Sequence, residues 1–132
     1  MGTKDNRSGF GAMIAARARS FAYAFKGIAT LFDQPNARIH AVVAVVVVGC
    51  GLWLGLSRIE WAVVSVCIGG VLMAEALNSA VEALADKVSP DYDPLIGRAK
   101  DLAAGAVLLL VFGAVAAGLL IFLPKFVALF SA

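Results

Sequence analysis

The feature that most constrains this chain is an uncharged run of 22 residues, Leu102–Leu123. A helix that crosses a hydrocarbon core of about 30 Å needs about 20 apolar residues in succession. A second run, Ile39–Ser57, carries His40 as its only ionisable group. A third, Trp61–Ala85, is apolar for fourteen residues, then carries Glu75, Asn78 and Glu82 before Asp86 ends it. The sequence therefore predicts spans over 39–57, 61–85 and 102–123, with a tight turn at Arg58, Ile59 and Glu60 flanked by Trp53 and Trp61. Amphipathic indole rings favour such interfacial positions.

Composition agrees. The chain is 61% hydrophobic and 15% charged, against about 45–50% and about 25% in soluble domains. A water-soluble enzyme and a disordered chain are both excluded, and 132 residues leave room for one domain. The expected organisation is a polar tail over 1–9 and a single integral membrane domain over 10–132. A net charge of +2 is too small for a nucleic-acid binder. Cys50 and Cys67 lie in apolar runs without a CxxC or Cys/His cluster, so they read as small hydrophobes.

The N-terminal region does not read as a signal peptide, because no apolar core follows the polar residues 1–9. Phe10, Ile14, Phe21, Phe25, Ile28 and Phe32 instead recur at helical intervals, with Arg17, Arg19 and Lys26 adding positive charge. That pattern predicts an amphipathic helix over 10–32 lying in the membrane interface. The cluster Asp33-Gln34-Pro35-Asn36 should end it. An N-in, C-out orientation places nine of eleven Lys and Arg on the cytoplasmic side and leaves Arg58 and Lys125 outside, as the positive-inside rule requires. His40 and Arg38 read most simply as interfacial groups.

The polar residues of the middle span are its informative part. A central acidic residue costs roughly 2.5–3.5 kcal/mol on insertion scales. From Glu75, Asn78 lies at +3, Glu82 at +7 and Asp86 at +11. At about 100° per residue these fall within a stripe about 80° wide, bordered by Ser79. The following polar segment, 87–99, closes with Lys100 and Asp101. Four acids, an amide and a lysine thus meet at one cytoplasmic mouth. Mg²⁺ suits one or two carboxylates completed by substrate phosphates. A deeper carboxylate can take a proton from a hydroxyl, and a lysine offsets phosphate charge. These are parts of a metal-assisted phosphoryl transfer. No Walker-type loop or protein-kinase motif is present. The residues alone leave two further readings open: a proton-coupled transporter using Glu75, and an assembly subunit in which the stripe only specifies packing.

The run Glu75-Ala-Leu-Asn78-Ser79-Ala-Val-Glu82-Ala-Leu-Ala-Asp86, followed by Lys100-Asp101-Leu-Ala-Ala-Gly105, resembles the signature of the prokaryotic diacylglycerol kinases. Ser20–Gly27 and Asn36–His40 extend the likeness. The resemblance implies a homotrimeric membrane kinase of the bacterial cytoplasmic (inner) membrane, all-α, with three transmembrane helices and a surface helix. It would use ATP and Mg²⁺ on a membrane lipid alcohol. By the same resemblance Glu75 is the catalytic base and Glu82 the metal ligand. Asn78 and Asp86 organise the site. Arg17 (with Arg19 as the alternative), Tyr23, Glu82, Asp91, Tyr92, Asp93, Lys100 and Asp101 bind ATP. One departure stands out. Gln34, beside Asp33, occupies the place where many members carry a second metal-ligand Glu. Gln34 is thus a metal contact of reduced charge, or Asp33 replaces it. Arg38-Ile39-His40, Ile59-Glu60-Trp61, Asp93-Pro94-Leu95 and Pro124-Lys125 resemble the undecaprenol kinase branch, whereas Gly97–Lys100 resembles the diacylglycerol branch. The balance favours undecaprenol.

Overall fold

The computed structural model describes residues 6–91 and 93–131. They form four helices: α1 (Asn6–Leu31), α2 (Pro35–Leu54), α3 (Arg58–Val88) and α4 (Pro94–Phe130). Helices α2, α3 and α4 are each long and apolar enough to cross a membrane. At 1.5 Å per residue, the 20 residues of α2 span about 30 Å, matching a hydrocarbon core. The 31 residues of α3 and 37 of α4 reach about 46 and 55 Å. Both therefore project beyond the hydrocarbon, and α3 and α4 form the principal helix–helix contact.

Local chemistry explains the boundaries. Pro35 sits in the first turn of α2, where its missing N–H is no loss. The Arg38 guanidinium donates through Nε to the Phe32 carbonyl at 2.6 Å and through Nη2 to that of Asp33 at 3.3 Å, satisfying the end of α1. Gly55 closes α2 at φ 66°, a left-handed conformation that glycine adopts without steric cost. Ser57 and Glu60 then form a reciprocal capping box at the start of α3. The α2–α3 turn therefore lies at 55–57. The expected turn at Arg58, Ile59 and Glu60 is corrected: these residues are the first turn of α3.

Other boundaries move as well. The polar segment expected over 87–99 shrinks to 89–93, because Asp93 Oδ1 accepts from the N–H groups of Leu95 and Ile96 at 2.7 and 3.1 Å and starts α4 there. Pro124 lies inside α4 without ending it. Helix α1 starts at Asn6, within the expected tail, and ends at Leu31. It is exposed from Gly9 to Thr30, which suits a helix whose apolar face rests on a bilayer.

The bundle is apolar outside as well as in its core, and it buries two polar side chains. Val66, Met73, Leu77 and Leu84 of α3 are exposed, while Glu75 and Asn78 are buried. In lipid this is the stable arrangement, since apolar side chains lose nothing outside and ionisable groups must face protein. At the turn end, Gly51 lets the Trp61 ring lie against α2: a Cβ there would come within 2.9 Å of the indole.

Candidate active site

The acidic stripe forms as its spacing predicts. Glu75 is 2% exposed and Asn78 is 6% exposed. Glu75 lies about 26 Å along α3 from Arg58, and Glu82 about 36 Å. Val71, Ala74 and Val107 are buried at the same level. The Asn78 Nδ2 donates to Glu82 Oε1 at 3.2 Å. This bond leaves one oxygen of Glu82 uncommitted and orients the carboxylate. The Asn78 Oδ1 is buried without a hydrogen-bond partner among the described residues. An orphaned buried acceptor is costly and is commonly explained by a group that binds there.

Across the α3–α4 mouth, Lys100 Nζ pairs with Asp86 Oδ1 at 2.9 Å. The lysine is 38% exposed and the aspartate 71%. Lys100 therefore stands at the rim of the stripe on a partner that water and ligands can reach. Lys100, Asp86, Glu82, Asn78 and Glu75 thus line one face, descending from the solvent-side rim into the bundle.

Other sequence-predicted residues are placed differently. Asp93 caps α4 with Oδ1. Asp91 and Asp101 are exposed near the mouth, and the Asp91 carbonyl accepts from Ser89 Oγ at 2.9 Å. Arg17 and Tyr23 are exposed on α1, and Gln34 is exposed at the α1–α2 turn, with no capping bond from its side chain. None of these three side chains is hydrogen-bonded to the stripe among the described residues. Tyr92 lies outside the described residues. No group of three or more His, Cys, Asp or Glu side chains able to hold a metal occurs among the described residues. The donor set nevertheless fits Mg²⁺ held by one carboxylate, since that ion takes its remaining ligands from phosphates and water.

The capping roles of Ser57 and Glu60 escaped the sequence reading. Their signal, a serine three residues before a glutamate at the head of an apolar run, was present. The role of Arg38 as a carbonyl donor had no such signal, because it depends on how the chain folds back at 31–35.

An apolar cleft of about 430 Å³ lies between α2, α3 and α4. It extends from His40 and Leu72, near the level of Glu75, to Phe126 at the opposite end of the bundle.

Comparison with known proteins fits this geometry. The profile described as prokaryotic diacylglycerol kinase matches residues 22–122. The chain belongs to the prokaryotic diacylglycerol kinase family. It is 39% identical to the undecaprenol kinase of Bacillus subtilis over 126 residues, covering 95% of this chain and 99% of that protein. It is 39% identical to the diacylglycerol kinase of Synechocystis over 112 residues, 83% of this chain and 64% of the relative. It is 32% identical to the Escherichia coli K12 diacylglycerol kinase over 112 residues, 84% of this chain and 88% of that one. The protein is a lipid kinase embedded in a membrane.

Proposed function

We propose that this kinase transfers the γ-phosphate of ATP to the hydroxyl of a membrane lipid alcohol, with Mg²⁺ bound, and that the alcohol is undecaprenol. The reading rests on one observation above all: Glu75 is buried within the bundle on the same helical face as the Asn78–Glu82 pair and the Lys100–Asp86 rim. The likeness to a named undecaprenol kinase over nearly the whole length of both chains supports the choice of lipid.

In this scheme the lipid hydroxyl approaches Glu75, whose carboxylate takes the proton as the oxygen attacks the γ-phosphorus. The new bond joins the lipid oxygen to that phosphorus. The bond to the bridging oxygen breaks, ADP leaves, and Glu75 later returns its proton to water. Glu82, oriented by Asn78, would hold Mg²⁺, and Gln34 would offer a neutral second contact. The ion, when bound, neutralises phosphate charge. Lys100 leaves Asp86 for the phosphates and offsets the charge that develops on them. Asp86 keeps the lysine at the rim until then. Arg17, Tyr23, Asp91, Tyr92, Asp93 and Asp101 supply the remainder of the nucleotide region, with Asp93 contributing through the oxygen its cap leaves free. The exposed apolar faces of α2–α4 suit a homotrimer in the bacterial inner membrane, with the N-terminus and the site on the cytoplasmic side.

The test is ATP-dependent phosphate transfer by the detergent-purified protein to undecaprenol and to diacylglycerol in parallel, with and without Mg²⁺. Transfer to undecaprenol that requires Mg²⁺ and is lost in Glu75→Gln is the expected result. Equal or faster transfer to diacylglycerol overturns the choice of lipid. A phosphorylated protein that accumulates during turnover overturns the direct mechanism.

A further inference from the structure

Three successive backbone carbonyls at the α1–α2 joint accept from one residue. Arg38 Nε donates to the Phe32 carbonyl at 2.6 Å and Nη2 to that of Asp33 at 3.3 Å. The Arg38 backbone N–H donates to the Gln34 carbonyl at 3.2 Å. The carbonyls just before these, of Ala29, Thr30 and Leu31, accept from the N–H groups of Phe32, Asp33 and Gln34 at 3.1, 3.1 and 3.0 Å. The carbonyls from Ala29 to Gln34 are thus all satisfied within the joint, the last three by Arg38. Leu31 on one side and Ala37 on the other are buried.

A guanidinium suits this task. Its planar fork reaches two carbonyls at fixed angles, and its charge strengthens each bond. The C-terminal end of a helix favours a cation, whereas the start of a helix does not. Arg38 belongs by sequence to the start of α2, and its charge is spent on the end of α1. It ties the two helices together at that point.

The joint carries a long lever. Helix α1 is exposed from Gly9 to Thr30, so its side chains give it little hold on the bundle. A bilayer beneath its apolar face fixes its depth and leaves its swing in the membrane plane free. Tyr23 lies about 12 Å and Arg17 about 21 Å from Leu31 along the axis. A swing of about 10° at the joint moves them by about 2 and about 4 Å. A misplacement of about 1 Å can already cost about 100-fold where groups must meet a substrate. We propose that Arg38 is a positioning residue: it touches no substrate, fixes the angle of α1 over the bundle, and so brings the α1 side chains to the nucleotide.

The inference rests on the reading in which Arg17 and Tyr23 bind ATP, and its test separates the two. Spin labels are placed at Ala15→Cys on α1 and Val88→Cys at the end of α3, with Cys50 and Cys67 replaced by serine and alanine. The labelled full-length chain is diluted with unlabelled protein in bilayers, so that only distances within one chain are read. Wild-type Arg38 should give one narrow distance distribution, and Arg38→Ala one broadened or shifted by several ångströms. In unlabelled protein Arg38→Ala should raise the KM for ATP about tenfold, with kcat and the KM for the lipid within about threefold of wild type. Arg38→Lys keeps the charge and loses the fork, so its KM should lie between the two. This variant also carries the test if Arg38→Ala fails to fold. An unchanged distance distribution in both variants shows that the bilayer or a second copy holds α1, and overturns the proposal. A changed distribution with an unchanged KM for ATP, or a fall in kcat alone, also overturns it and leaves the kinase reading intact. No transfer by wild type with Mg²⁺ and ATP present overturns the kinase reading, and the label distances then still show whether Arg38 sets the angle of α1.

Discussion

Helices α3 and α4 are joined by a lysine–carboxylate pair at each end, and the two pairs differ in what surrounds them. At the turn end Lys125 pairs with Glu60 at 3.2 Å, with the side chains 27% and 25% exposed. The same Glu60 oxygen also accepts the Ser57 N–H at 2.7 Å. Nearby, the Trp53 and Phe126 rings pack with centroids 6.0 Å apart. At the loop end Lys100 pairs with Asp86, more openly, and the buried Asn78 carries an acceptor without a partner. The first pair is committed to closing a turn. The second is a weak, exposed contact beside groups whose hydrogen-bonding capacity is incomplete. The same chemistry is structural where the carboxylate also caps a helix, as Glu60 does, and more open to ligands where the pair stands alone at an exposed rim.

The comparison breaks most visibly at the bottom of the stripe. Glu75→Gln should lower phosphate transfer at least about 100-fold, the low end of what removing a general base costs. Circular dichroism should show the helical content unchanged. Glu60→Gln should leave transfer within about threefold of wild type and reduce thermal stability instead. A Glu60→Gln protein as inactive as Glu75→Gln would erase the distinction between the two ends.

Next in size is the Asn78–Glu82 pair. Asn78→Ala removes a hydrogen bond to a carboxylate, worth about 1.5–3 kcal/mol. Transfer should fall about tenfold or more, and the Mg²⁺ concentration for half-maximal rate should rise. A Mg²⁺ titration that overlays wild type would show that Asn78 does not orient a metal ligand.

The two lysines sharpen the contrast directly. Lys100→Met should raise the KM for ATP about tenfold while the melting temperature stays nearly constant, because an exposed pair contributes at most about 1 kcal/mol. Lys125→Met should leave that KM alone and lower stability by a similar small amount. The smallest expected effect is Ser57→Ala, which removes an N-cap worth about 1 kcal/mol and should appear only in thermal unfolding. A change in KM for ATP in either turn-end variant would tie that end to the site.

Much of this was legible in the chain itself. Three uncharged or nearly uncharged runs dictate three membrane helices, because no other solvent accepts so much apolar length. The spacing of Glu75, Asn78, Glu82 and Asp86 dictates one helical face, because α-helical geometry is periodic and local. Helix ends are less legible where a polar residue can serve either a loop or a cap. Asp93 looked like a loop acid and proved to start α4. Arg58, Ile59 and Glu60 looked like a turn and proved to follow one. Only the tertiary structure could show that Lys100 meets Asp86 rather than Asp101 beside it, and that the Asn78 Oδ1 is buried without a partner. These depend on how α2, α3 and α4 pack across one another. Periodicity within a single helix determines which residues share a face, but the face across from them is decided by side-chain volumes at contacts far apart in the sequence.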